Sequence, residues 1–303
     1  MERVIVTGAN GFIGTKLINK LLQNNTEVIA IDVNFNNTLI VDSPYVIKKE
    51  INLNDKVLLM NQLSDQEYDA FYHFAWRGVN GPDKADPIVQ LKNIEMMINC
   101  AYVAKQIKCK KFLCSGTIAE HSVESLNHLE TTSGGMMYGV SKHCAHLMLE
   151  NYCKNIGLDF VWMQFSNIYG PGNCTGNLIS YTLNQILNDN EATFGPAMQP
   201  YDFIYIDDLI EAIMRLGDSN TKKNFYYIGS GEPRILKDYL LSISNYCHKR
   251  ELTKIGERPD DNIKYSFDMF DTTSLVNDIG NYVSFTFDEG LKMTVTSYME
   301  DKK

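Results

Sequence analysis

The sequence predicts an α/β fold: a Rossmann-type doubly wound parallel sheet with a smaller C-terminal α+β lobe. Three observations predict it. A β-branched run, Arg3-Val4-Ile5-Val6-Thr7, leads directly into a glycine-spaced turn and then an apolar helix. Strand-like and helix-like stretches alternate as far as Phe165, the pattern of a parallel sheet with crossover helices. After Tyr169-Gly170-Pro171-Gly172 that regularity fades. The expected division is therefore a dinucleotide-binding domain over residues 1–170 and a substrate lobe over 171–303, with 200–230 partly returning to the main sheet.

Length and composition bound the possibilities. A chain of 303 residues can bury one large α/β core or two smaller ones. The net charge of −9 argues against nucleic acid as the main partner, because phosphate backbones need a basic surface. The seven cysteines are scattered, odd in number and without a Cys-x-x-Cys pair. They read as reduced thiols of a cytoplasmic protein, not as a disulfide framework or a zinc site, and no metal is expected. The first strand begins within three residues of the start, which leaves no place for a signal peptide. No apolar run is long enough to span a bilayer, so no membrane association is expected.

Taken in order, the run at 3–7 is a buried strand. Gly8-Ala9-Asn10-Gly11-Phe12-Ile13-Gly14 follows as a strand-to-helix turn, where a dinucleotide fingerprint belongs. Gly8 and Gly11 permit a tight turn and close approach to a pyrophosphate, Gly14 lets the helix pack on the strand, and the helix N-terminus offers free N–H groups. The spacing is Gly-x-x-Gly-x-x-Gly, not the commoner Gly-x-Gly-x-x-Gly. Residues 27–32 form a second strand ending in Asp32, whose carboxylate can accept both ribose hydroxyls and repel a 2′-phosphate, favouring NAD over NADP. Further strands are expected within 45–53 and at 69–75, then a helix over 86–105 and a fifth strand at 111–115. Thr117 sits just past that strand's carboxyl end, where ligands bind in an open parallel sheet. A helix over 137–155 and a sixth strand at 159–165 complete the regular part. Helices over 177–187, 209–216, 235–247 and 287–298 and strands at 202–206 and 225–228 are expected beyond it.

Tyr138 and Lys142 form a Tyr-x-x-x-Lys pair near the start of the 137–155 helix. Residues four apart share a helix face, with Cβ atoms about 5–6 Å apart. An ammonium at that distance favours the phenolate and lowers the phenol from its ordinary pKa of roughly 10, giving an acid/base usable near neutral pH. Such a pair is common in helices by chance; the glycine turn before it and the placement of Thr117 give it weight.

These residues together resemble the extended short-chain dehydrogenase/reductase family: the nucleotide-sugar epimerases, dehydratases and reductases. The resemblance runs nearly end to end. It rests on the glycine turn, Asp32, His73-Phe74-Ala75, Asn93-Ile94, the Thr117, Tyr138 and Lys142 set, Asn167-Ile168-Tyr169-Gly170-Pro171-Gly172, and Asp202-Phe203-Ile204-Tyr205-Ile206-Asp207-Asp208. It implies that Tyr138 is the acid/base at a sugar hydroxyl or ketone, that Lys142 holds the nicotinamide ribose and lowers the Tyr138 pKa, and that Thr117 donates to the same sugar oxygen. It implies cofactor contacts from Gly8, Asn10, Gly11, Phe12, Ile13, Gly14, Asp32, Phe74, Ala75 and Asn93, with Asn52 and Leu53 beside the adenine. It places Asn167, Asn177, Leu178, Phe194, Arg258 and Asp261 around a nucleotide-sugar diphosphate, and implies a homodimer through the 86–105 and 137–155 helices.

The sequence also departs from the family. Dehydratases carry Thr-Asp-Glu where this chain has Thr117-Ile118-Ala119, which argues against a 4,6-elimination needing a second acid/base pair. The arginine expected before Asp-Phe-Ile is Tyr201, and a phenol cannot replace a bidentate phosphate clamp; Arg234 and Lys237 are candidates to compensate. His121 is a candidate to line the sugar pocket, and the loop Trp76-Arg77-Gly78-Val79-Asn80-Gly81 to touch substrate. The expected function is NAD(P)-dependent oxidoreduction at carbon 4 of a nucleotide-linked hexose, as a 4-epimerase or a 4-ketoreductase. The alternatives are a non-catalytic dinucleotide-binding sensor or scaffold, and a carbonyl reductase acting without a nucleotide handle.

Overall fold

Side chains alternate strictly between two cores along the first strands. Val4, Val6, Val28 and Ala30 enter one core, and Ile5, Ile29 and Ile31 the other. This is the two-residue period of strands covered on both faces. The computed structural model describes residues 1–300 apart from 64–65, 130–131, 174–175 and 261–262. In order come β1 (Arg3–Thr7), α1 (Phe12–Gln23), β2 (Glu27–Asp32), β3 (Val46–Glu50), α2 (Lys56–Gln62), β4 (Ala70–His73), α3 (Pro87–Gln106), β5 (Lys111–Thr117), α4 (Gly134–Ile156) and β6 (Phe160–Phe165). A 3-10 turn (Pro82–Lys84) precedes α3, and a long one (Ile118–His128) separates β5 from α4.

The chain then leaves the sheet. It forms β7 (Asn167–Tyr169), α5 (Leu178–Leu187), β8 (Ala192–Phe194), β9 (Pro200–Tyr201), β10 (Phe203–Tyr205) and α6 (Ile206–Asp218) before returning as β11 (Phe225–Ile228). After it come β12 (Arg234–Ile235), α7 (Leu236–Tyr246), β13 (Thr253–Ile255), α8 (Thr273–Ile279) and α9 (Phe287–Glu300). The main sheet has seven strands in the order β11-β6-β5-β4-β1-β2-β3, all parallel. Three two-stranded pairs, β10 with β7, β12 with β9 and β13 with β8, build the remainder.

Local chemistry sets the boundaries. Asp86 starts α3 by accepting from the Ile88 and Val89 N–H groups, with Pro87 at the first helical position. Gly157, at φ +63, ends α4 in the left-handed conformation a helix stop favours. Several elements differ from the sequence expectation. Thr117 closes β5 rather than lying beyond it, because Thr117 still pairs with Phe165. The 3-10 turn at Ile118–His128 was not foreseen, nor were helices α2 and α8, which have only seven residues each. The strand expected at 202–206 is only Phe203–Tyr205, since Ile206 already begins α6.

Asp202 is fully buried and joins the two places where the chain leaves and re-enters the sheet. Its carboxylate accepts from the Tyr227 hydroxyl at 2.7 Å, the Ser230 N–H at 3.0 Å and the Ser230 hydroxyl. Its carbonyl accepts from the Ser166 hydroxyl at 2.7 Å, and the Ser166 N–H donates to Ile228 O at 2.9 Å. Among the described residues no helix is long and apolar enough to cross a membrane.

Candidate active site

The sheet order reverses between β1 and β4, and the crevice at their carboxyl ends is where open parallel sheets bind ligands. Gly8 lies there at φ +67, and a Cβ on it would come within 2.7 Å of the Ala75 N and 2.8 Å of the Phe74 carbonyl carbon. Only glycine meets both conditions. A Cβ on Gly14 would collide with the Gly8 carbonyl, so α1 rests directly on the turn. A Cβ on Gly11 would meet only the Gly8 carbonyl, at 3.1 Å, which leaves the turn accessible beside the first N–H groups of α1. Those groups have no side-chain cap, and a pyrophosphate fits them. Asp32 stands next to this turn, accepting from the Asn10 N–H at 2.9 Å and the Val33 N–H at 2.7 Å; its oxygens retain lone pairs for ribose hydroxyls. The Asn10 side chain fastens the following loop through the Asn34 and Asn36 carbonyls. Phe12, Ile13 and Phe74 pack partly buried against the core.

Three expected cofactor contacts have different placements. Asn93 is buried, and its side chain accepts from the Arg77 N–H at 2.9 Å and donates to the Arg77 carbonyl at 2.7 Å. It braces the loop after β4 rather than presenting itself to a cofactor. Asn52 accepts from the Asn54 N–H within its own turn. Leu53 belongs to the core behind β2.

The chemistry gathers at the end of β5. The Thr117 hydroxyl, which accepts from the Ala119 N–H at 3.3 Å, lies near the Tyr138 phenol and favours its ionised form. Tyr138 and Lys142 lie one turn apart on α4. That helix comes this close because Gly139 has no side chain; a Cβ there would collide with the Ala119 carbonyl. Lys142 is buried, donates to the Ser115 carbonyl at 2.7 Å, and holds its Nζ 3.9 Å from the Trp76 ring centroid. Burial pushes its ammonium down to about 7. The expectation that Lys142 lowers the Tyr138 pKa is corrected here. Burial, with the Glu120 charge adding to it, pushes the phenol above its ordinary range, and the nearby Thr117 only partly offsets this. A lysine that is itself desolvated and turned to Ser115 and Trp76 does not supply the counter-charge.

Glu120 is a residue that the sequence reading missed. It is almost fully buried beneath Thr117. Its carboxylate accepts from the Thr117 N–H at 2.7 Å and from Trp162 Nε1 at 3.1 and 3.2 Å, and His146 Nδ1 lies 3.7 Å away. Burial pushes it up to about 7. The signal was available: Thr117-Ile118-Ala119-Glu120 has capping-box spacing, and the structure forms that box. Trp76 was expected only as part of a loop touching substrate, and Lys84 was not assigned at all. Trp76 packs edge-on to Tyr138 with centroids 6.1 Å apart, and Lys84 Nζ lies 5.5 Å from the Tyr138 centroid.

The residues expected around a nucleotide sugar fall in two groups. Leu178, Phe194 and Arg258 line one cleft of about 500 Å³ with Tyr181, Thr193 and Leu236. The Arg258 guanidinium donates to the Thr193 hydroxyl at 2.7 Å and the Tyr181 hydroxyl at 2.6 Å. Asn177 caps α5 through the Ser180 N–H and donates to the Ile168 carbonyl. Asn167 accepts from the Tyr201 hydroxyl at 3.0 Å. Asp261 lies outside the described residues. Arg234 pairs in register with Tyr201, yet its guanidinium lies over Tyr239 and 3.9 Å from Glu232, so it does not occupy a clamp position here. Lys237 lies in the first turn of α7 and forms no ion pair among the described residues. His121 contacts Glu124 and Gln164 and lines a different cleft, beside β11.

Comparison with known proteins gives the family and the fold. The model of the NAD dependent epimerase/dehydratase family matches residues 4–229. UDP-glucuronic acid decarboxylase 6 of Arabidopsis thaliana is 29% identical over 231 residues, a match covering 71% of this chain and 65% of that one. The chain thus spans just under two thirds of that plant relative. The UDP-glucose 4-epimerase of Thermotoga maritima, solved with UDP-glucose, superposes with a TM-score of 0.84 at 20% identity, covering 99% of this chain and 100% of that one. The dTDP-glucose 4,6-dehydratase of Bacillus anthracis, solved with NAD, gives 0.82 at 19% identity, covering 100% and 98%.

Proposed function

The chain belongs to the NAD dependent epimerase/dehydratase family, and we propose that it carries out NAD-dependent oxidoreduction at carbon 4 of a nucleotide-linked hexose, as a 4-epimerase or 4-ketoreductase. The observation that carries this reading is the placement of Thr117 at the carboxyl end of β5 beside Tyr138, whose phenol it draws down, with Lys142 one turn further along α4. NAD, when bound, supplies the hydride acceptor or donor. Gly8, Gly11, the start of α1 and Asp32 would hold it, with Lys142 at the nicotinamide ribose. The family's name and the open glycine turn both support this cofactor.

The protein's own part is proton transfer and positioning. In the oxidising direction Tyr138 takes the proton of the sugar hydroxyl; in the reducing direction it returns one to the developing alkoxide. Thr117 donates to the same oxygen and stabilises its charge. A phenol held above its ordinary range makes a poor base. The reading therefore requires ligand binding to draw Lys142 away from Ser115 and beside Tyr138. Arg258, whose described partners are two hydroxyls and the Tyr181 ring, is suited to a diphosphate. Glu120 has its oxygens committed to Thr117 and Trp162, which favours C4 chemistry alone over elimination or decarboxylation, for which a second free acid/base would serve.

Incubating the protein with a panel of nucleotide hexoses, hexuronates and 4-keto-6-deoxy sugars, with NAD⁺, NADH or NADPH, tests the reading. Products changed only at C4 are expected. Loss of water or carbon dioxide would replace the reading with one of the other family reactions. We also read α3 and α4 as the homodimer surface, supported by the exposure of Ile88, Leu91, Leu147 and Met148; light scattering at micromolar concentration tests it. The six described cysteines are unpaired, which suits a cytoplasmic setting.

A further inference from the structure

We propose that Lys84 forms a subsite for a carboxylate carried by the substrate sugar, facing Tyr138. The proposal rests on the nucleotide-sugar reading above and narrows it to substrates that include hexuronate-type sugars.

Three lysines have ammonium groups that burial pushes down: Lys84, Lys111 and Lys142. Two of them are compensated by carbonyls. Lys111 donates to Leu216 O at 3.0 Å and to Ser219 O. Lys142 donates to Ser115 O at 2.7 Å. Lys84 has no hydrogen bond or ion pair among the described residues, and meets only the face of Tyr138, its Nζ 5.5 Å from the ring centroid. A half-buried ammonium without an anion is unfavourable, and an arriving carboxylate would relieve it with a charge-assisted hydrogen bond.

The surroundings hold the lysine in that position. Gln90 accepts from Trp76 Nε1 at 2.9 Å and donates to the Gly78 and Asp83 carbonyls at 3.0 and 3.1 Å. Asn93 holds the Arg77 backbone at both its N–H and its carbonyl. The nearest carboxylate in sequence, Asp83, is taken by Arg77 at 3.0 Å. Gly134 lets α4 rest against this loop, since a Cβ there would lie 2.9 Å from Ala85 Cβ. A Cβ on Gly135 would still leave 4.0 Å to Lys84 Nζ. The result is a cation beside the proposed acid/base, carried on a loop whose backbone is tied down by buried amides. A neutral hexose leaves that cation unpaired, whereas a sugar bearing a carboxylate pairs it.

The test compares a nucleotide-linked hexuronate with the hexose carrying the same nucleotide, in wild type, Lys84→Gln and Lys84→Arg. Both kcat/KM and thermal stabilisation by each ligand are measured. In Lys84→Gln, the hexuronate-to-hexose ratio of kcat/KM should fall on the order of ten- to a hundredfold, with the hexuronate's stabilising effect falling in parallel. Lys84→Arg should restore most of both. An equal loss for both sugars would assign the lysine to the nucleotide diphosphate, a loss confined to NAD affinity would assign it to the cofactor, and an unchanged ratio would leave it no ligand role; each overturns the proposal. Lys84-dependent stabilisation by the hexuronate without any turnover would keep the subsite and remove the C4 reaction. Turnover of hexoses that depends on Tyr138, with an unchanged hexuronate ratio, would do the reverse.

Discussion

The two ends of the crevice above the sheet are built from different materials. The glycine turn between β1 and α1 is made of backbone, and its specificity is the absence of side chains: Gly8 against Ala75, Gly14 against the Gly8 carbonyl. The corner at Thr117, Tyr138, Lys142 and Glu120 is made of side chains, two of them buried, and the ionisation of Tyr138, Lys142 and Glu120 is shifted by their surroundings. The first is a steric device, insensitive to pH and intolerant of a methyl group at Gly8 or Gly14. The second is close-packed at Gly139 as well, but what distinguishes it is its sensitivity to charge.

The largest expected effect lies in the electrostatic corner. Tyr138→Phe removes the proton donor while keeping the ring that packs against Trp76. Turnover of any accepted nucleotide sugar should fall by about 10²–10⁴-fold, the usual contribution of a positioned acid/base, with the melting temperature little changed. A stable variant with wild-type turnover would show that the corner is not the reacting group.

Glu120 gives the next effect, and its sign follows from its surroundings. Burial raises it from 4.5 to about 7, so between those values the folded chain keeps a proton that the unfolded chain has released. Stability from this group is full below the unfolded value and is lost as pH rises through the folded one. Tyr138, Lys142 and His146 on α4, with Trp162 and Gln164 on β6, are the groups facing it. Relative to Glu120→Gln, wild type should lose on the order of 2 kcal/mol between pH 5 and pH 8, read by urea denaturation. Parallel pH curves for the two proteins would mean that the carboxyl titrates normally.

Gly14→Ala probes the steric end. The added methyl overlaps the Gly8 carbonyl, and relief by backbone movement should cost about 1–3 kcal/mol of stability. NAD affinity should weaken at every pH, in contrast to the pH-dependent loss at Glu120; calorimetric titration at two pH values separates them. The smallest effect is expected at the junction of the two ends. Trp76→Leu removes the ring over Lys142 and should destabilise by about 1 kcal/mol, with a few-fold change in turnover. A large loss there would mean that Trp76 contacts the substrate itself.

The same division governs what could be read in the sequence. The steric end was legible because glycine spacing after a β-branched run has one structural meaning. Thr117, Tyr138 and Lys142 were legible as residue types at fixed places in an alternating pattern. Their ionisation was not, because a pKa depends on burial and on neighbours brought in from distant segments: Trp162 and His146 at Glu120, Trp76 and Ser115 at Lys142. Asn93 was read as facing a cofactor and instead braces the loop that carries Trp76 and Lys84. Spacing places an asparagine on a helix near β4 but does not tell which neighbour its amide will find. The second half of the chain was the least legible, since its strands have two to four residues, too short to show a period.

Asp202 bears on how the molecule can move. The polypeptide runs out of the sheet at β6 and comes back beside it as β11, so the segment between them hangs from two adjacent threads. One buried carboxylate and its carbonyl knot those threads together through Ser166, Tyr227 and Ser230. Displacing either thread would strip a fully buried carboxyl group of its hydrogen-bond partners, so β6 and β11 are held to one another at the edge of the sheet nearest the proposed chemistry.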